Sequence, residues 1–392
     1  MPRALSLAAL LLAGCIGVPI HARTKQKPLA PSFAESVPYE WVEVPTERDD
    51  TKLRGVWCAN DGPPVLLLYG SGMGVARAWP FVEMLHQGGY AVLCCDYRGT
   101  GFSSGRWWTS RHLDDDALAL WEWMRKEKGE PGGVVGVSIG SVAAAKLLEA
   151  EHPPAAVVLD RPVDPKTVIP RFMRASLGSI SAAISRVVAR PKVDVDMGGH
   201  LARARTDALV VLPEFDMYCT PSDAAKMTAG KADSVTVVTV PGGHLSSHLV
   251  DPPLWRSKVL DFLDARLRPG LPPLGGRDVP PDLADVERFD LDGRAFTVAL
   301  DRVPDGPCAL LLLGKKGNGL IRVEQPEREM EFRLPGKYAR RFRPLFAVRV
   351  VAPDYRGTTG TRWVFGAPGD VTERARAEYA ASDWGPYKQE DR

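Results

Sequence analysis

Three side chains able to cooperate in acyl transfer stand in the chain order Ser138, Asp216, His244. A serine hydroxyl becomes a nucleophile when an imidazole takes its proton, and a carboxylate fixes that imidazole's tautomer and stabilises its charged form. Ser138 lies in Gly136-Val137-Ser138-Ile139-Gly140, a G-x-S-x-G word. Glycine at both ends suits a turn so sharp that side chains there would strike neighbouring backbone. Asp216 closes Pro213-Glu214-Phe215-Asp216, and His244 closes Pro241-Gly242-Gly243-His244.

The elements around these residues place each of them after a strand. Val134 to Val137 is apolar and β-branched, as a buried strand is, and Ser141 to Ala150 is rich in helix formers with no breaker. The helix directs its N-terminus at Ser138 and favours negative charge developing there. Ala208 to Leu212 and Val235 to Val240 are apolar runs that end just before the acid and the histidine. Val65 to Tyr69, Tyr90 to Cys95 and Ala156 to Asp160 read as further strands buried on both faces. Tyr39 to Val44 alternates like a half-buried strand and should pair antiparallel with Leu53 to Ala59. Helices are expected over Ala78–Gln87, His112–Lys128, Ser222–Ala229 (capped by Ser222) and Trp255–Leu267.

This order, with the Asp96-Tyr97-Arg98-Gly99-Thr100-Gly101-Phe102-Ser103 block, resembles the α/β-hydrolase superfamily, in its serine-hydrolase branch, over about residues 39 to 268. The resemblance implies an α/β fold. Its expected form is a mostly parallel central sheet flanked by helices, with a small helical lid over residues 162–203 and a strand-rich C-terminal extension. It implies Ser138 as nucleophile, His244 as base and Asp216 as the triad acid. The oxyanion hole would use the backbone N–H groups of Ile139 and Ser71. Asp160 is the second candidate for the acid, with Arg161 beside it as a ready salt partner. His248 is the second candidate for the histidine, and Gly242-Gly243 favours His244. His200 reads as a surface or linker histidine, and Asp96 and Arg98 as residues that order a turn by charge-assisted hydrogen bonds.

Two positions depart from the family pattern. The oxyanion loop begins Tyr69-Gly70 where the usual word begins His-Gly, and Pro221 lies five residues beyond Asp216 where the usual spacing is four. Trp107 and Trp108 either line an acyl pocket or cover the core edge. Met173, Leu177 and Ile184 are candidate lid contacts. The resemblance implies a small-molecule ester or amide substrate, esterase-like first and peptidase- or aminopeptidase-like second, with no metal and no cofactor. The rival reading is a catalytically inactive scaffold or binding protein of the same fold at the cell envelope.

The totals fit a folded protein: 392 residues, 45% hydrophobic and 25% charged, with 50 basic against 48 acidic residues. That balance excludes nothing but a strongly basic surface, and no nucleic-acid partner is expected. Residues 1–15 read as a signal peptide, an apolar run after Arg3 that ends in Leu12-Ala13-Gly14-Cys15. That ending resembles a bacterial lipobox, which implies lipidation of Cys15, membrane attachment through the lipid and a place in the cell envelope on its periplasmic or surface side. Secretion is the alternative. Residues 22–38 are polar and proline-punctuated, a flexible tether. Residues 269–285 read as a linker and 286–392 as a C-terminal strand-rich domain. Within the latter, Asp305-Gly306-Pro307 with Leu310 to Leu313 echoes Asp61-Gly62-Pro63 with Val65 to Leu68. Asp354-Tyr355-Arg356-Gly357-Thr358 likewise repeats residues 96–100. The echo raises the expectation of a degenerate partial copy of the hydrolase sheet. Of six cysteines, Cys94 and Cys95 read as buried small hydrophobes.

Overall fold

The computed structural model describes residues 37–47, 49–105, 110–129, 132–164, 167–168, 197–214, 216, 218–229, 234–244, 247–250, 252–271, 284, 286–314, 317–334, 339, 345–351 and 361–365. Cys15, Trp107, Trp108, Met173, Leu177, Ile184 and the second Asp-Tyr-Arg-Gly-Thr word lie outside these residues. The chain divides into two compact units, residues 1–240 with 254–277, and residues 241–253 with 278–392.

The first unit holds β1 (Glu40–Pro45), β2 (Lys52–Cys58), β3 (Gly62–Leu68), β4 (Tyr90–Cys95), β5 (Gly133–Val137), β6 (Ala156–Asp160), β7 (Ala208–Pro213) and β8 (Val235–Val240). They form one eight-stranded sheet in the order β1-β2-β4-β3-β5-β6-β7-β8. β1 pairs antiparallel with β2, and β2 with β4; the pairs from β4 through β8 are parallel. β4, β5, β6 and β7 are buried at every residue, which is why they read in sequence as continuous apolar runs.

Helices cover both faces. The unit contains α1 (Gly74–Gln87), α2 (Ser110–Lys128), α3 (Ile139–Leu147), α4 (Met197–Ala202) and α5 (Pro221–Thr228). A short α6 (Ser247–Val250) falls in the second unit, and α7 (Pro252–Leu267) follows it. Side chains at Gly133 and Gly136 would point to opposite faces, three residues apart on one strand. The space beside Gly133 is filled by Leu263 and Leu267 of α7, and that beside Gly136 by Ala144 of α3. α1 packs against α7 through Phe81 and Trp255, whose rings meet edge to face at 5.5 Å.

The helices start earlier than expected, α2 at Ser110 and α7 at Pro252 among them. α1 begins at Gly74, four residues before the expected Ala78, and carries Pro80 inside it. α5 is capped by Thr220, not Ser222: Thr220 Oγ1 accepts from the Asp223 amide at 3.3 Å, and Asp223 accepts from the Thr220 amide at 2.9 Å. This capping box, with Pro221 at the first helical position, fixes the chain just beyond Asp216.

The second unit has its own core. β9 (Val286–Asp292), β10 (Ala295–Leu300) and β13 (Glu329–Arg333) form a three-stranded sheet ordered β13-β10-β9. β11 (Cys308–Gly314), β12 (Gly317–Val323), β14 (Leu345–Val351) and β15 (Thr361–Phe365) form a second sheet ordered β14-β11-β12-β15. Leu310 and Leu312 join Phe296, Leu300 and Ile321 in one cluster, while Leu311 and Leu313 join Leu320 in another. β11 is thus buried on both faces. The echo of β3 in β11 does not extend to topology. β3 pairs parallel with β4, whereas β11 pairs antiparallel with β14, so the described strands are not a copy of the hydrolase sheet. A shared strand word encodes burial, and burial does not choose the direction of the neighbour.

Candidate active site

Parallel strands end at a common edge. The residues just past β3, β5, β6 and β7 therefore line one side of the sheet, and the strand order sets β3 and β6 on either side of β5. Ser138 is the first residue past β5. Its backbone sits at φ 54, ψ −116, in the left-handed half of the map where a residue with a Cβ is strained. From Gly132 to Ala145 every residue is buried except Ser138, which is half-exposed.

The turn is held from both sides. The Ser138 amide donates to the Asp160 carbonyl at 2.9 Å. The Ser138 carbonyl accepts from the Ser141 amide at 3.0 Å and from the Ser141 hydroxyl at 2.5 Å. The glycines are explained by space. A Cβ on Gly140 would stand 2.0 Å from the Leu68 carbonyl oxygen, and one on Gly136 would stand 2.6 Å from the Gly140 carbonyl oxygen and from Ala144 Cβ. Ser138 stands at the cap position before α3, yet its hydroxyl makes no capping bond to that helix. Ile139, the other residue of the expected oxyanion hole, is the first residue of α3 and is buried.

The loop after β3 reaches the elbow. A Cβ on Gly70 would lie 3.3 Å from Ser138 Cβ. The Gly70 amide donates to Met73 Sδ at 3.2 Å, and the Met73 amide donates to the Gly70 carbonyl at 3.3 Å. The turn so closed carries Ser71 exposed.

Asp96 and Arg98 order the next turn, though not through each other. Asp96 accepts from the Val75 amide at 2.9 Å, the Phe102 amide at 2.8 Å and the Tyr69 hydroxyl at 2.9 Å. Burial pushes the Asp96 carboxyl up against those three bonds. Arg98 Nε meets Asp116 at 2.6 Å and its Nη1 meets Asp49 at 2.7 Å. Burial raises the Asp116 carboxyl while the Arg98 guanidinium pulls it down.

Asp216 lies just past β7 and is buried. Its Oδ1 accepts from the Tyr218 amide at 2.7 Å and the Cys219 amide at 3.2 Å, a backbone cradle that fixes the carboxyl group. Asp160, the alternative acid, has a different place. Both its oxygens are engaged, Oδ2 with Arg161 at 2.8 Å and Oδ1 with the Trp255 indole N–H at 3.2 Å. Arg161 adopts φ 51, and its guanidinium stands over the Phe81 ring at 5.4 Å. His244 follows β8 and belongs, with His248, to the second unit; both are buried, and the Ser247 amide donates to the Gly243 carbonyl at 3.1 Å.

His200 is neither a surface nor a linker histidine. It is buried in α4, where Nδ1 meets Glu149, and Arg203 meets the same carboxylate at 2.9 Å. Sequence reading also missed Tyr69, Met73, Asp116 and Trp255 as supports of the edge. The partners of Tyr69, Asp116 and Trp255 are distant in the chain, and only the conspicuous departure at Tyr69 was visible as a signal. Cys58, Cys94, Cys95, Cys219 and Cys308 are buried free thiols, and burial pushes Cys58 up to about 12. Among the described residues, no group of three His, Cys, Asp or Glu side chains is placed to hold a metal ion.

A strained serine between a parallel strand and a helix, at the carboxyl edge of this sheet, defines the α/β-hydrolase fold. A family described as serine aminopeptidase, S33, matches residues 63–220. Protein ABHD12B of Homo sapiens is 34% identical over 136 residues, covering 31% of this chain and 37% of that protein. Lysophosphatidylserine lipase ABHD12 of Rattus norvegicus is 32% identical over 111 residues, 26% of this chain and 28% of that protein. The chain thus matches about a third of the length of these relatives. The esterase Pf2001 of Pyrococcus furiosus superposes with a TM-score of 0.53 at 23% identity, over 63% of this chain and 99% of that one.

Proposed function

We propose that the protein is a serine hydrolase that cleaves a carboxylic ester by acyl transfer. Ser138 attacks the carbonyl, and His244 takes its proton and returns it to the leaving group. Asp216 fixes the imidazole tautomer and stabilises the imidazolium. The backbone N–H groups of Ile139 and Ser71 hold the oxyanion, and water then releases the acyl group. The observation that carries this reading is the backbone of Ser138, strained and half-exposed within an otherwise buried strand-turn-helix, beside the Gly70 loop. The lipase name of one relative supports an ester. The aminopeptidase description of the matching family supports a second reading, hydrolysis of an aminoacyl amide. We further propose that Cys15 carries a lipid that attaches the chain to a membrane of the cell envelope.

The test is labelling by a fluorophosphonate probe of protein lacking the first fifteen residues, beside Ser138→Ala. Labelling in the parent that disappears in the variant is expected. A well-folded parent that does not label would overturn the serine-hydrolase reading in favour of a binding scaffold. Short-chain aryl esters assayed against aminoacyl arylamides then separate the two substrate classes.

A further inference from the structure

We infer that Tyr69 is a positioning residue for the oxyanion loop, acting through a hydrogen-bonded brace with Asp96 and Tyr97; this rests on the serine-hydrolase reading of Ser138. Tyr69 is fully buried and immediately precedes Gly70. Its hydroxyl donates to Asp96 Oδ1 at 2.9 Å and accepts from the Tyr97 amide at 3.2 Å. The Tyr97 hydroxyl returns to the Tyr69 carbonyl at 3.0 Å, and the two rings lie 4.7 Å apart. Asp96 Oδ1 also accepts from the Val75 amide at 2.9 Å. The loop of residues 70–74 is therefore clamped at both ends by the same two neighbours. Tyr97 holds its entry at the Tyr69 carbonyl, and Asp96 holds its exit at the Val75 amide. The Tyr69 hydroxyl ties the two clamps together.

The surrounding chain is shaped to this brace. Gly101 sits at φ 49, and a Cβ there would stand 1.8 Å from Asp96 Oδ2. A Cβ on Gly140, inside the elbow, would stand 2.8 Å from the Tyr69 carbonyl oxygen. The carbonyl that Tyr97 holds is thus in contact with the turn that presents Ser138. Burial, and then the Asp96 carboxylate, hold the Tyr69 phenol well above its ordinary value, so the hydroxyl keeps the proton it donates. An oxyanion donor acts through fixed position, since its benefit comes from needing no reorganisation during the reaction. Loosening the clamp should therefore reduce turnover more than substrate affinity.

Tyr69→Phe keeps the ring and removes the hydroxyl. Its kcat on p-nitrophenyl acetate is expected to fall about 10- to 100-fold, short of the full loss of a donor, with KM within about twofold. Fluorophosphonate labelling should slow in parallel, and amide exchange at residues 70–75 should accelerate about tenfold. Tyr97→Phe, which removes the other clamp, should act in the same direction. Tyr90→Phe is the control. It deletes another buried tyrosine–carboxylate bond, to Asp264, at the opposite end of β4. It should lower thermal stability and leave kcat unchanged. The inference is overturned if Tyr69→Phe keeps the parent's kcat and exchange at 70–75, or loses no more kcat than Tyr90→Phe does. If the parent itself does not label, the serine-hydrolase reading falls. Exchange at residues 70–75 then decides the brace alone: acceleration in Tyr69→Phe upholds it, and parental exchange overturns it.

Discussion

Ser138 pays for its exposure with a backbone conformation that costs on the order of 1–3 kcal/mol. The bonds from its amide to Asp160 and from Ser141 to its carbonyl offset that cost and hold the turn rigid. Two carboxylates near this edge have different surroundings, and one pair of substitutions tests the roles the proposed triad gives them. Asp216→Asn keeps an oxygen for the Tyr218 and Cys219 amides, so the loop should survive. If the proposed triad holds, kcat on an aryl ester should fall by about 10⁴ with the melting temperature nearly unchanged. Asp160→Asn instead removes the carboxylate charge that meets the buried Arg161 guanidinium at 2.8 Å. Removing one member of a buried pair costs about 3–5 kcal/mol, so this variant should lose stability first. If Asp160→Asn alone reduced kcat in a stable protein, the assignment of the acid would have to move. At this scale, sequence is most informative where the determinants are contiguous. The elbow's glycines and serine fall within five residues and were legible. The indole of Trp255, 95 positions from Asp160, left no local trace of its role.

Elements are legible in proportion to how fully they are buried. β4 and β6 fall within the bounds their apolar runs suggest, because burial on both faces needs an unbroken stretch of such residues. Helix starts were less legible, since Ser222 is by type at least as good a cap as Thr220 and only the reach to Asp223 chooses Thr220. α4 reads in sequence only as a short helix after His200, whereas it spans Met197–Ala202 and holds His200 by a contact to Glu149 just beyond α3. That contact carries a pH dependence. Burial pushes Glu149 up, but the hydrogen bonds from Arg203 and His200 outweigh it and lower the carboxyl from 4.5 to about 2. A carboxyl lowered by folding contributes stability above its unfolded value and loses it as pH falls towards the folded one. Thermal melts of the parent and Glu149→Gln should therefore differ most above pH 4.5 and converge between about 4.5 and 2. A difference that persisted unchanged at pH 2 would mean the carboxylate charge is not what holds α4.

Over the whole molecule, the eight-stranded sheet was legible through its resemblance, and the second unit only as strands. Short antiparallel strands carry burial in their sequence but not partner or direction, which is why the echo between β3 and β11 suggested a topology that β14 does not adopt. The same limit applies to membrane attachment, where composition argues by balance. With 50 basic and 48 acidic residues, the chain has no large net charge to hold it on an anionic surface. Among the described residues no helix is long and apolar enough to cross a membrane. The attachment proposed above is through lipid at Cys15, and hydrophobic insertion of acyl chains is insensitive to salt. On phase separation in a nonionic detergent, the full chain should enter the detergent phase at both low and high salt. Cys15→Ala should shift it to the aqueous phase or leave it unprocessed at its larger mass. Release of the parent by salt alone would assign the attachment to charge, and a Cys15→Ala chain that stayed in the detergent phase at mature mass would remove the lipid from the account.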